Sequence, residues 1–150
     1  MSGREPQDPA WESRVRDSFG KQTFMSTLGA RLTRIEPGIV DIEVAMRDDL
    51  VQQHGFLHAG VLASVADSAC GYAALSLMPA GAAVLSIEFK VNLLAPASGE
   101  RAVARGIVLR AGRTITVCRA DVTAYSPEGE RLVAAMTATM MTVRDRGISD

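Results

Sequence analysis

The carboxylate of Asp67 is the first candidate for chemistry in this sequence of 150 residues. It is the only formal charge between Asp49 and Glu88 when histidine is counted as neutral. An ionised carboxylate among small and aliphatic residues is costly unless it is paired or used, and its helical neighbours could only donate hydrogen bonds to it. The pattern favours a general base or nucleophile, with a helix-capping or ion-paired carboxylate as the structural alternative.

Two histidines precede Asp67. The spacing of His54 and His58 would suit a metal on a helix, but Gly55 lies between them and no Cys or Glu cluster accompanies them. We therefore expect no metal and no cofactor. We expect His58 at a helix N-terminus, where it hydrogen-bonds the entry loop or contacts a substrate.

The predicted helix start at Ala59 and Gly60 is a second candidate. The first N–H groups of a helix lack intrahelical partners and carry partial positive charge. Small residues let an oxygen approach, so a carbonyl placed at the Ala59 amide would be polarised as in an oxyanion hole. Asp67 lies about two turns further along the helix. A carboxylate from a facing subunit would solve this geometry.

The elements that position these residues centre on the segment from Ala59 to Leu77. It is too long for a strand and nearly apolar all round, which predicts a buried helix wrapped by a sheet and covered further by a partner subunit. Small or polar residues recur along one line of this helix, where we expect close packing. That line comprises Gly60, Ser64, Asp67, Gly71 and Ala74.

Before this helix, residues 1–8 are predicted to be a frayed tail. An apolar stripe predicts a short amphipathic helix that Gly20 ends. Strands are predicted over 30–36 and 39–44; in the second, Asp41 and Glu43 face away from the apolar side chains. The stripe comprises Trp11, Val15 and Phe19, and the apolar face of the second strand comprises Val40, Ile42 and Val44.

Four further strands are predicted after the break at Pro79-Ala80-Gly81. In the first, alternation places Ser86 on the face of Glu88, opposite Phe89. Gly112 is expected to adopt a positive φ at a hairpin tip. This order of elements predicts an α+β domain with an antiparallel sheet around one long central helix. The four strands are predicted at 86–93, 100–109, 114–125 and 131–143.

The composition excludes several classes of protein. A net charge of −1 gives no global attraction to nucleic acid or an anionic membrane. The N-terminus lacks a signal peptide, and polar residues or Pro79 interrupt the long uncharged runs, so no membrane span is expected. Cys70 and Cys118 are expected to be reduced structural residues of a cytoplasmic protein. No nucleophile elbow or phosphate-binding loop occurs.

Three segments of the sequence resemble the hotdog-fold thioesterases, most closely the phenylacetic-acid-pathway (PaaI-like) type. They are Gln52-Gln53-His54-Gly55-Phe56-Leu57-His58-Ala59-Gly60, then Asp67, then the run from Ser86 through Ala95-Pro96-Ala97. The resemblance covers roughly residues 25–143. It implies an acyl-CoA thioesterase with domain bounds of 1–22 for a tail and short helix, 23–145 for the hotdog domain and 146–150 for a tail.

Carried over by position, the resemblance implies a role for each matching residue. Asp67 is the catalytic acid, supplied by the other subunit, and Ala59 gives the amide that binds the thioester carbonyl. Gln52 and Ser86 position the water. Many relatives carry Asn in place of Gln52 and Gly in place of Ala59. The resemblance places the CoA-contacting hairpin at Arg110, Ala111, Gly112, Arg113 and Thr114, where the two arginines could meet CoA phosphates. His58 and Gly60 at the helix start are further candidates for substrate binding.

The same resemblance implies acyl-CoA as substrate and, together with the apolar helix, a homodimer. A dimer of dimers is expected, but the sequence does not decide between dimer and tetramer. Two alternatives remain on this fold. One is a non-hydrolytic acyl-CoA-binding or sensing protein, and the other is an enoyl-CoA hydratase or dehydratase. Neither the chain length nor the aryl or alkyl character of the acyl group follows from the sequence.

Overall fold

One long helix lies against a six-stranded antiparallel sheet in the computed structural model, which describes residues 5–150. The strand order β1-β2-β4-β5-β6-β3 confirms the predicted α+β hotdog architecture. The elements are α1 (Trp11–Lys21), α2 (Thr23–Leu28), β1 (Arg31–Glu36), β2 (Ile39–Ala45), a 3-10 turn (Asp48–Leu50), α3 (Ala59–Leu75), β3 (Ala83–Leu93), β4 (Arg101–Ala111), β5 (Ile115–Ser126) and β6 (Gly129–Val143).

The helix α3 can lie close to the sheet because the facing residues are small. A Cβ atom built on Gly106 of β4 would lie 2.3 Å from the backbone carbonyl of Ala69, so only glycine fits there. Gly71, on the predicted line of close packing, has no protein atom of this chain within 4 Å of an added Cβ and instead lines a cavity. The fully buried alanines of the sheet are Ala102, Ala104, Ala120 and Ala134.

The N-terminal region is more extensively folded than predicted. Gly20 does not end α1, which continues to Lys21 and is followed by the unpredicted helix α2. Gly29 ends α2 in the left-handed conformation at φ 66°. Residues 1–4 of the predicted tail lie outside the described residues. The prediction of a frayed end is wrong for Asp8, which is buried.

Side chains from this N-terminal region cap the C-terminal end of α3. The buried guanidinium of Arg14 donates from Nη2 to the carbonyls of Leu75 and Met78, at 3.1 and 2.8 Å, and from Nη1 to that of Pro79, at 2.7 Å. Asp8 lies 3.4 Å from the same group. Burial lowers the pKa of Arg14, and the negative charges of Asp8 and Asp150 oppose this fall. Arg14 supports the end of α3 through its three hydrogen bonds to carbonyl groups.

The strand β2 confirms the predicted alternation. Val40, Ile42 and Val44 are fully buried against the core. Asp41 faces the opposite side, yet it is only 5% exposed because the side chain of Arg105 covers it with two hydrogen bonds of 2.9 and 2.7 Å. This ion pair fixes β2 against β4.

Cys70 and Cys118 are buried and free, as predicted for structural thiols. The Cys118 thiol lies 3.6 Å from the carbonyl oxygen of Cys70. Within residues 5–150 there is no helix long and apolar enough to cross a membrane. The same residues contain no group of three or more side chains placed to hold a metal ion.

Candidate active site

Within residues 5–150, the carboxylate of Asp67 accepts one side-chain hydrogen bond. Asp67 lies half-buried on α3, and the hydroxyl of Ser86 on β3 donates to its Oδ1 at 2.7 Å. Burial raises the pKa of Asp67 above its ordinary value, and the Ser86 hydrogen bond opposes this rise. The structure therefore unites two of the predicted site residues in a partly desolvated pair.

A β-bulge is the reason that Ser86 reaches Asp67. The register of β3 on β6 shifts between Ser86 and Glu88, leaving Ile87 as the extra residue. Ser86 consequently lies opposite buried Met140 and faces α3, whereas Glu88 faces outward opposite Thr139. The prediction that Ser86 shares a face with Glu88 is wrong, because strict alternation does not hold across a bulge.

A cavity of about 300 Å³ opens beside Asp67. Its walls are mostly polar, unlike the apolar surroundings predicted from the sequence around Asp67. The Tyr72 hydroxyl and the Ser68 hydroxyl each lie 3.4 Å from Oε1 of Gln22, which joins α3 to the α1–α2 junction. The lining residues are Ser18, Lys21, Gln22, Asp67, Ser68, Gly71, Tyr72, Val84, Ser86, Ser149 and Asp150.

The start of α3 presents one backbone donor without a partner among the described residues. His58 N–H donates to the carbonyl of Leu50, Gly60 N–H to Nδ1 of His58, and Val61 N–H to the carbonyl of His58. Only the Ala59 N–H remains of the four donors that a helix start leaves without intrahelical acceptors. It is therefore available to a carbonyl oxygen. The His58 side chain therefore caps the helix, whereas it was predicted to hydrogen-bond the entry loop.

Gln52 and Ala59 line a second cavity of about 440 Å³. The backbone N–H of His54 donates to Oε1 of Gln52, which fixes the Gln52 side chain in the entry loop. This cavity is mainly apolar and is distinct from the one beside Asp67. Its other lining residues are Phe56, Leu57, Leu62, Leu93, Leu94, Ala95, Pro96 and Ala97.

The predicted site residues thus form two separate pairs within one chain. Asp67 and Ser86 line one cavity, and Gln52 and Ala59 line the other. Eight helical residues separate Ala59 from Asp67, a rise of about 12 Å along α3. A single small carbonyl group cannot contact the Ala59 amide and a water held by Asp67 of the same chain.

The predicted CoA-contacting hairpin joins β4 to β5. Arg110 and Arg113 are exposed, and neither guanidinium forms an ion pair within the described part of the chain. Gly112 lacks the predicted positive φ; instead, a Cβ there would lie 2.5 Å from the Ile115 carbonyl oxygen. Arg113 and Thr114 line a cleft of about 370 Å³ with Met141, Thr142, Val143, Arg144 and Arg146.

Sequence reasoning missed the walls of the Asp67 cavity that lie far away along the chain. Ser18, Lys21 and Gln22 come from the N-terminal helices, and Ser149 and Asp150 come from beyond β6. Only Ser68 and Tyr72, which carry hydroxyls within an otherwise apolar helix, gave a local signal.

A helix-borne carboxylate and an open helix start, on an antiparallel sheet that packs against that helix, are the features of a hotdog-fold protein of the PaaI-like type. The chain belongs to the thioesterase superfamily, whose family model matches residues 54–130.

Solved structures agree with this assignment. A thioesterase family protein from Silicibacter pomeroyi is 51% identical and superposes with a TM-score of 0.88 over 89% of this chain and 98% of that one. The E. coli PaaI protein from the phenylacetic acid degradation operon is 19% identical and has a TM-score of 0.78 over 89% of this chain and 93% of its own, which shows a shared fold.

A candidate esterase from Saccharolobus solfataricus is 31% identical over 90 residues, or 60% of this chain. The match spans 64% of the length of that relative.

Proposed function

We propose that the protein is an acyl-CoA thioesterase with an active site shared between two subunits. The observation that carries this proposal is the separation of the free Ala59 N–H from the Asp67–Ser86 pair, each in its own cavity. In a dimer, the Ala59 amide of one subunit polarises the thioester carbonyl. Asp67 of the other subunit acts on the same carbon.

The reaction follows from these groups. The Ala59 N–H and the partial positive charge of the helix start stabilise the negative charge that develops on the carbonyl oxygen. Asp67 takes a proton from water as that water adds to the carbonyl carbon, or its carboxylate attacks directly. Ser86 and Gln52 orient the water. In the first route, the C–S bond breaks as the proton on Asp67 passes to the sulfur, so CoA leaves as the thiol with the free acid. In the second, the C–S bond breaks as an anhydride forms between the acyl group and Asp67, and CoA leaves as the thiolate. Water then hydrolyses the anhydride to the free acid and the Asp67 carboxylate, and the proton that it releases converts the thiolate to the thiol.

The edge strand β3 supports the dimer. It is eleven residues long and exposes large apolar side chains, with Ile87 51% and Leu93 54% exposed. The opposite edge, β1, is six residues long and carries Arg31 and Arg34. A long apolar edge is a template for pairing with another chain, whereas a short charged edge discourages it. We therefore place the partner subunit at β3.

The outer face of the sheet supports a further pairing of dimers. Leu85 of β3 and Ile115 and Val117 of β5 are 48%, 41% and 37% exposed on the two strands that flank β6, where Leu85 and Ile115 both lie opposite Met141. Contiguous exposed apolar residues mark interaction surfaces. Light scattering coupled to gel filtration tests this association, with a tetramer as the expected species. The free thiols of Cys70 and Cys118 suit a reducing compartment such as the cytoplasm.

The β4–β5 hairpin is the proposed contact for the nucleotide part of CoA. Arg110 and Arg113 have guanidinium groups free to bind phosphate, and the narrow tip at Gly112 and Thr114 allows a ligand to approach the backbone. Gly60 serves the same purpose at the helix start, where its missing side chain leaves the approach to the Ala59 amide open.

The role of Asp67 is tested by Asp67→Asn, which keeps the shape and can still accept the Ser86 hydroxyl. Hydrolysis of a panel of acyl-CoA substrates is followed with a thiol reagent. We expect kcat to fall by about 10²- to 10⁴-fold, the usual contribution of a positioned base or nucleophile. Activity equal to that of the unmodified protein would exclude Asp67, and binding of acyl-CoA without turnover would exclude a hydrolase.

The raised pKa of Asp67 also predicts the pH dependence. The folded protein keeps this proton to a higher pH than the unfolded chain does, so the free energy of unfolding falls as the pH rises from about 4 through the folded-state pKa. Meanwhile, kcat/KM rises as Asp67 ionises. Asp67→Asn should abolish this limb of the rate profile and should be no less stable at neutral pH, as urea denaturation would show.

The sharing of the site between subunits is tested by mixing two inactive variants, Asp67→Asn and Ala59→Pro. Each mixed dimer holds one site with both native groups. Random exchange should therefore restore about a quarter of the native activity, since half of the dimers are mixed and each carries one intact site of two. A mixture as inactive as its components would show that Ala59 and Asp67 do not serve one site from two subunits.

A further inference from the structure

The segment from Gly147 to Asp150 crosses back from the end of β6 to the Asp67 cavity, and we call it the strap. Ser149 and Asp150 of the strap line the cavity together with Asp67, Ser86 and Tyr72. Residues 146–150 were predicted to be a tail, and nothing in their local sequence indicates a role at a site. Their position makes them part of the chamber beside the proposed catalytic carboxylate.

The side chain of Asp150 fastens the strap to two different elements. Its Oδ1 accepts a hydrogen bond of 2.9 Å from the Ser18 hydroxyl on α1, and its Oδ2 accepts one of 2.8 Å from the Val84 N–H on β3. The Asp150 N–H also lies 3.5 Å from the carbonyl of Ala82. Hydrogen bonds to a carboxylate are stronger than those between neutral groups, so these contacts hold the strap against α1 and β3.

The strap is also the part of the cavity wall that is least supported by secondary structure. Apart from Gln22, the remaining lining residues lie in α1, α3 or β3. The strap has no secondary structure and begins at Gly147, whose φ of 75° favours glycine. Removal of the Asp150 contacts would therefore release this wall while leaving the others in place.

We propose that Asp150 determines the length of acyl group that the Asp67 cavity accepts, by closing the cavity with the strap. This proposal rests on the proposed thioesterase function, which places the acyl group beside Asp67. With the strap as one wall, the cavity of about 300 Å³ favours short acyl groups, and release of the strap admits longer ones.

The test compares Asp150→Ala with the unmodified protein on acyl-CoA substrates from butyryl to decanoyl. We expect the ratio of kcat/KM for decanoyl-CoA to that for butyryl-CoA to rise about tenfold or more in Asp150→Ala, because methylene groups then enter a chamber that excluded them. Asp150→Asn should restore the original ratio. Its amide can accept from Val84 N–H and donate to the Ser18 oxygen.

Two controls separate this role from general effects. Asp145→Asn removes one carboxylate from the same region without touching the cavity, and it should leave the ratio unchanged. Ser18→Ala removes one of the two anchors and should give an intermediate ratio. An Asp150→Ala profile identical to that of the unmodified protein would overturn the proposal.

A readout independent of activity keeps the strap testable by itself. Hydrogen exchange of the Val84 amide should become about tenfold to a hundredfold faster in Asp150→Ala, as expected on losing a hydrogen bond to a charged group. Binding of hydrolysis-resistant S-alkyl-CoA thioethers of graded length should show the same shift toward long chains. If Val84 exchange and the chain-length preference in binding were the same in Asp150→Ala as in the unmodified protein, the proposed role of the strap would be contradicted. If binding shifted toward long chains but neither protein hydrolysed acyl-CoA, only the thioesterase function would be contradicted.

Discussion

The two ends of α3 differ in how completely the rest of the chain satisfies their backbone hydrogen-bonding groups. At the N-terminal end, local contacts satisfy the His58, Gly60 and Val61 N–H groups and leave the Ala59 N–H open to a cavity. At the C-terminal end, Arg14 donates to three carbonyl groups from a sequence distance of more than sixty residues.

The difference between the ends can be explained by the backbone groups that each end presents. A carbonyl left unsatisfied inside a protein costs free energy and offers nothing to an electron-rich substrate oxygen. A free N–H at a helix start attracts such an oxygen, and the helix dipole adds to the attraction. The chain therefore covers the C-terminal end of α3 and exposes one donor at the other end. The C-terminal end thus contributes to stability, and the N-terminal end carries the donor that the proposed reaction uses.

The largest effect is expected at the covered end. Arg14→Ala leaves the Met78 carbonyl without a donor among the described residues and Asp8 without its buried partner. The carbonyls of Leu75 and Pro79 lose one of two donors, since each also accepts from a backbone N–H. Breaking a buried ion pair by removing one member costs about 3–5 kcal/mol. Urea denaturation should show this loss, while kcat per folded molecule stays near the native value.

Arg16→Ala is the matched control for Arg14. Arg16 lies on the same helix and pairs with Glu12 at 2.7 Å, but both side chains are more than half exposed. Its removal should cost less than about 1 kcal/mol. Equal losses in the two variants would mean that Arg14 does not support the end of α3.

The open end should respond in activity rather than in stability. Ala59→Pro deletes the free N–H at the first helical position, where proline is well tolerated. The preceding residue, His58, already has the extended conformation that proline requires, at φ −61° and ψ 141°. We expect kcat to fall by about 10²- to 10³-fold, the usual cost of losing an oxyanion donor. The free energy of unfolding should change little.

Two substitutions at the same position separate the N–H from steric bulk. Ala59→Gly keeps the N–H and removes the methyl group, so it should retain activity. Ala59→Val keeps the N–H and adds bulk. A loss in Ala59→Val as large as that in Ala59→Pro would assign the effect to crowding instead of to the donor.

The contrast between the ends also explains what the sequence could predict. The start of α3 was predicted because its signals are local: small residues follow His58, and an apolar helix begins there. The carboxylate of Asp67 was conspicuous for a similar reason, as a lone charge in an apolar run. The resemblance to hotdog thioesterases supplied the pairing of these residues, which local pattern did not contain.

The remaining features depend on contacts that produce no periodic pattern in the nearby sequence. In the sequence, Arg14 cannot be distinguished from an ordinary charge on the polar face of an amphipathic helix. Its role follows only from the position of the end of α3 beside it. The hydrogen bond between Ser18 and Asp150 joins residues 132 positions apart. The orientation of Ser86 was predicted wrongly because a bulge depends on pairing with β6 rather than on composition. Sequence reasoning therefore found the proposed reacting groups and missed their supports.

The smallest effect concerns the cap that leaves only one donor free. His58→Ala removes the Nδ1 acceptor of the Gly60 N–H and should lower the free energy of unfolding by about 1 kcal/mol, the usual cost of losing an N-cap. His58→Asn restores an acceptor of similar reach and should recover most of that loss in urea denaturation. If Asn proves no better than Ala, the imidazole does not stabilise α3 as a cap. Because the Gly60 N–H becomes a second free donor in His58→Ala, the same protein shows whether one donor or two at this helix start gives faster hydrolysis.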